Sequence, residues 1–156
     1  MHDSATAADS PHSPPPIVDD DALLAAFEDC TLPEQQWTHQ AHVRVAYLYL
    51  RSHPFEEALA RMRTNIQRFN AARKVPVDPH RGYHETLTVA WLTVVAATMR
   101  HHGVGADSLD FCRQQPHLLN RFLLRLYYTR RTIMSPEAKR TFVEPDIAPL
   151  PKSRPQ

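Results

Sequence analysis

His39 and His42 stand three residues apart in Trp37-Thr38-His39-Gln40-Ala41-His42, and His84 heads a second apolar run, Tyr83-His84-Glu85-Thr86-Leu87. Imidazoles at i and i+3 share a helix face. Ala46 and Leu50 continue that face, so both rings are expected to turn inward. The face of His84 continues through Leu87, Trp91 and Val95, with the same implication. Three neutral imidazoles make a good ligand set for a divalent transition metal and leave a position open for water or substrate, as catalytic zinc sites do. All-imidazole ligation suits Zn, Fe, Cu and Ni alike, so the residue types do not choose the ion.

Other groups supply the rest of a reaction centre. Glu85 can be a fourth ligand, an acceptor for an imidazole N–H, or a general base. Adjacency in a helix puts it ~100° from His84, which weakens the ligand role. Tyr83 is the other candidate for moving a proton. Asn70 and Arg130 are candidates for orienting a substrate. Trp37 reads as a staple on the bundle end or as a wall of the pocket. Positive helix N-termini favour neutral imidazole, and they equally favour an anionic substrate or a carboxylate.

The elements that must position these groups are helical. A first helix is expected over Asp20 to Glu28, with Leu23, Leu24 and Phe27 as its buried stripe. Thr31-Leu32-Pro33-Glu34 has the capping-box pattern and predicts a short turn. Thr38 can cap a helix from His39 to Arg51, and Pro54 ends it and opens the next. In that third helix Phe55, Leu59, Met62, Ile66 and Phe69 recur at steps of four, three, four and three. A fourth, apolar almost all round, runs from about Tyr83 to His101 and stops at Gly103. Shorter helices are expected over Ser108 to Gln114, over Pro116 to about Thr129, and after Ser135-Pro136-Glu137. If helices two, three and four run up, down and up, the first turns of two and four lie at one end. His39, His42 and His84 then converge there, with Asn70 and Arg130 brought alongside.

Composition agrees with that architecture. The chain has 156 residues, 14 prolines, eight of them in the two ends, and only three glycines. Average usage of about 7% would give about eleven glycines. Tight β-turns need that residue, so all-β folds are disfavoured. No Gly-rich phosphate loop is possible either. The expected fold is all-α: a single up-and-down bundle of five to six helices at 18–143, between a disordered arm at 1–17 and a proline-rich tail at 144–156. A net charge of +1 points to no polyanion partner. Arg61, Arg63, Arg68, Arg73 and Lys74 read as a solvated helix face. Cys30 and Cys112 form no disulfide framework. There is no secretory signal pattern and no apolar run of ~18 residues. The expected compartment is therefore cytoplasmic, with no membrane partner and no nucleic acid. Oligomeric state cannot be read from the chain. Ten histidines are the compositional anomaly.

The segments Cys30-Thr31-Leu32-Pro33, Trp37-Thr38-His39-Gln40-Ala41-His42, Gly82-Tyr83-His84-Glu85-Thr86 and Ser135-Pro136-Glu137-Ala138 resemble those of a bacterial family of small, uncharacterised all-α proteins. The resemblance spans about residues 20 to 150 and implies a shared pocket. More loosely, the arrangement is similar to the DinB-like metal-binding helical bundles, which carry a histidine triad at one bundle end. The leading expectation is a small metal-dependent enzyme acting on a small polar molecule. His39, His42 and His84 would hold the ion, and Glu85 or Tyr83 would move a proton. The alternatives are a metal-free ligand-binding or acid–base pocket, and a non-catalytic protein-interaction module.

Overall fold

The computed structural model describes residues 15–153. Nearly all of the expected N-terminal arm lies outside the described residues. Seven α-helices follow in order among them: α1 (Asp20–Glu28), α2 (His39–Ser52), α3 (Phe55–Ala72), α4 (Glu85–His102), α5 (Ser108–Gln114), α6 (Arg130–Ile133) and α7 (Pro136–Arg140). Three 3-10 turns, Glu34–Gln36, Pro116–Leu119 and Leu123–Leu126, join them. Among the described residues the fold is all-helical, and α2, α3 and α4 pack on one another at its centre.

Local chemistry explains most boundaries. Asp19 caps α1 by accepting from Ala22 N at 2.7 Å. Thr38 caps α2 by accepting from Ala41 N at 3.2 Å. Ser135 caps α7 by accepting from Ala138 N at 3.1 Å, with Pro136 in the first turn. Gly103 ends α4 at a φ of 80°, a left-handed conformation open to glycine. Leu59, Met62, Ile66 and Phe69 are buried along α3, as their spacing predicts.

Four expectations need correction. Thr31 does not cap the Glu34–Gln36 turn; its hydroxyl turns back to Ala26 O, and Pro33 stands at the cap without a side-chain bond. His84 is not in the fourth helix but is its cap, with extended backbone. No continuous helix runs from Pro116 to Thr129. Asn120 Oδ1 accepts from Phe122 N at 3.0 Å, an Asx turn that competes with helix and leaves two 3-10 turns. Beyond them Thr129 caps α6, one helix more than the sequence suggests.

Both composition-drawn boundaries also shift. Ile17 and Leu150 pack against the core. The Asp146 carboxylate accepts from Thr129 N at 2.8 Å and from the Thr132 hydroxyl at 2.8 Å. Those bonds hold the Asp146 carboxyl down at about 2. The first residues of the fold are clamped as well. Arg44, 3% exposed, donates to Ser108 Oγ at 2.7 Å and to the Ile17 and Val18 carbonyls at 2.6 and 2.9 Å. Asp20 closes the clamp by accepting from Ser108 N at 2.9 Å and from Arg44 at 3.4 Å. A guanidinium without such partners would not be buried.

Candidate functional site

The three histidines are each taken up by backbone, in three directions. His39 faces α4 and the Pro116–Leu119 turn: its ring meets Trp91 edge-on at 4.5 Å, and its Nε2 lies 2.8 Å from Leu118 O. A carbonyl only accepts, so Nε2–H donates and Nδ1 keeps a lone pair. His42 turns toward α1 and α3. It stacks on Trp37 at 3.7 Å, and its Nδ1 donates to Thr38 O at 2.7 Å. Trp37 in turn stacks on Phe27 at 4.3 Å and leans on Phe69 at 5.6 Å. It is the staple of that end of the bundle.

His84 is fully committed. Its Nδ1 accepts from Leu87 N at 3.1 Å, the cap bond of α4, while its Nε2 donates to Ile133 O at 2.8 Å. The ring therefore latches the start of α4 to α6. A metal ligand needs a free ring nitrogen, and His84 has none in this arrangement. The offset has a simple cause. Trp91, not His84, stands opposite His39, and the rise along α4 between them is about 10 Å. Among the described residues, no group of three or more His, Cys, Asp or Glu could hold a metal ion.

Desolvation depresses all three histidines. Burial pushes His42 down to about 4, against its bond to Thr38. His39 is lowered by burial, opposed by the Leu118 carbonyl. His84 is lowered by burial and by the Lys139 charge, opposed by the Ile133 carbonyl. All three are neutral near pH 7.

Tyr83 and Glu85, on either side of the His84 latch, do come together. They line an open cavity of about 540 Å³ with Arg63, Gln67, Lys139, Arg140, Thr141 and Phe142. Glu85 accepts from both the Arg63 guanidinium, whose Nε lies 3.1 Å from each carboxylate oxygen, and the Tyr83 hydroxyl. Hydrogen bonding to Arg63 holds the Glu85 carboxyl below the usual range, against burial. Burial, and then the Glu85 carboxylate, push Tyr83 up to about 12. At neutral pH the trio is an ionised carboxylate, a guanidinium and an intact phenol.

The far wall is built by the chain after α7. Thr86 Oγ1 donates to Thr141 O at 2.9 Å and accepts from Val143 N at 3.1 Å, which draws residues 141–143 across the start of α4. Lys139 is fixed by donating to Arg81 O. Neither Lys139 nor the exposed Arg140 has an acidic partner among the described residues. Ala138 on the same short helix is fully buried, so α7 both covers core and walls the cavity.

The remaining expected site residues lie elsewhere. Asn70 is half-buried near the end of α3, where its carbonyl accepts from Val75 N at 2.9 Å. Arg130 is exposed at the first position of α6. Neither borders the cavity, nor does Trp37. Sequence reasoning missed Arg63, Gln67, Lys139, Arg140, Thr141 and Phe142. Only the Lys139-Arg140 pair just past Ser135-Pro136-Glu137 offered a signal, as two adjacent cations. No protein-family model, curated protein or solved structure matches this chain.

Proposed function

We propose that the protein binds a small anionic molecule in the cavity between α3, α4 and α7, without using the histidines as metal ligands. One observation carries the reading: Arg63 and Glu85 neutralise each other, which leaves Lys139 and Arg140 as surplus positive charge on the cavity wall. A carboxylate or phosphate can pair with these two cations. Phe142, 37% exposed, offers an apolar surface for an attached flat group. Tyr83 spends its one proton on Glu85, so its oxygen keeps acceptor capacity for a ligand hydroxyl or amine. His84 contributes by position, holding Tyr83 and Glu85 against α6 and α7.

The test is a titration of the 15N-labelled protein with phenyl phosphate, benzoate and inorganic phosphate. Saturable shifts are expected at amides 83–86 and 139–143 with at least one probe, and their loss in the Lys139→Ala, Arg140→Ala double variant. Shifts confined to Trp37, His39 and His42, or none anywhere, would overturn the reading. The metal-enzyme reading requires His84 to give up a bond to Leu87 or Ile133. One bound equivalent of transition metal, lost in each of His39→Ala, His42→Ala and His84→Ala, would install that reading instead.

A further inference from the structure

We propose that the turn Leu119–Leu126 is a docking surface for an anionic lipid membrane. This proposal is independent of the cavity. Phe122 is 49% and Leu126 61% exposed, and Leu119 is exposed beside them, three large apolar side chains within eight residues. Two cations attend them. The Arg125 guanidinium lies 4.3 Å, and that of Arg121 5.1 Å, from the Phe122 ring centroid. Neither arginine forms an ion pair among the described residues. The surrounding chain is equally one-sided. From Phe111 to Pro136 it holds five arginines and not one Asp or Glu. Two acids of the packed tail come near that stretch, at Tyr128 and Thr129, and Asp146 is already held by Thr129 and Thr132.

Apolar tips flanked by arginines fit a negatively charged bilayer interface: the rings and leucines enter the headgroup boundary while the guanidinium groups stay with lipid phosphates. Geometry favours a lipid over an acidic protein helix. The segment is two one-turn 3-10 elements around an Asx turn, so it offers no continuous face for ridge-into-groove packing. The cavity around Glu85 does not border it. No helix among the described residues is long and apolar enough to cross a membrane. Lying on a surface demands no such helix, so the expectation of no membrane partner, drawn from the absence of a spanning run, did not address this mode.

The full chain is sedimented with vesicles of phosphatidylcholine alone and of phosphatidylcholine with phosphatidylserine. Binding is expected only to the second, weakening as salt rises. Arg121→Glu with Arg125→Glu should lower partitioning at least about tenfold. Phe122→Ser with Leu126→Ser should lower it by a similar factor, and unchanged circular dichroism and thermal melting establish that both variants fold. Equal recovery in the supernatant with both vesicle types overturns the proposal. So does binding that survives either double variant, or binding of an acidic amphipathic peptide without binding of vesicles.

Discussion

The end of the bundle around Trp37 and the cavity around Glu85 are built from similar residue types and come out opposite. At the first, His42, Trp37 and Phe27 stack in series with Phe69 tilted against them, and one ring nitrogen of each of His39 and His42 donates to a backbone carbonyl. At the second, Glu85 spends itself on Arg63 and Tyr83, and two more cations on the same wall have no acidic partner among the described residues. Histidine at a bundle end is thus a poor guide to chemistry by itself. What separates a site from a seal here is whether charge is left over after the partners on the wall have been served.

The largest effect that would sharpen this contrast is at Trp37. Trp37→Ala should cost about 3 kcal/mol in urea unfolding, since it removes the ring that Phe27 and His42 stack on. Phenyl phosphate titration of the folded variant should be unchanged. A loss under about 1 kcal/mol together with lost binding would make Trp37 a ligand wall and dissolve the contrast.

Acid should weaken the sealed end next. An unfolded histidine titrates near 6.5, whereas His42 in the fold titrates at about 4. Above pH 6.5 both states are neutral. Between there and 4 the unfolded chain takes up a proton that the fold refuses, so stability falls as pH drops through that window. The loss is on the order of 2 kcal/mol, less than full linkage because His42 is only half-buried. His42→Gln should flatten the slope between pH 6.5 and 5. The lowered Glu85 carboxyl also costs stability in acid, but only below the ordinary carboxylate range.

His84→Ala should cost about 2 kcal/mol, roughly half from the cap and half from the bond to Ile133. His84→Asn, which can still cap, should recover about half. Equal losses in the two variants would show that the cap bond is worth nothing and the latch everything. At the small end, Arg140→Ala should change the unfolding free energy by no more than about 0.5 kcal/mol while weakening anion binding severalfold. A clear destabilisation would mean that Arg140 is not surplus charge.

Helix periodicity and caps were legible along the chain because they are local. Thr38, Gly103 and the four-three spacing of α3 act through neighbours within one or two turns. Tyr83 and Glu85 were each readable as candidates, from their places on either side of His84. What did not show was anything settled by competition or by distance. Asn120 can hold an Asx turn or sit in a helix, and local sequence does not choose between them; in the fold it accepts from Phe122 N, between the buried Leu118 and Leu124. His84 can be a helical residue or a cap, and Ile133 far along the chain decides that. Arg63 looked like one cation of a solvated row, and its carboxylate partner is 22 residues away.

Arg44 sets a chemical edge to the domain. Its guanidinium reaches the carbonyls of residues 17 and 18 and, through Ser108, the start of α5. A protease cutting ahead of Ile17 leaves every one of these bonds in place. A cut beyond Asp20 leaves the same charge buried with Ser108 as its one remaining partner. Trimming from the N-terminal side should therefore be harmless up to residue 16 and abruptly damaging a few residues later, where hydropathy alone marks no boundary.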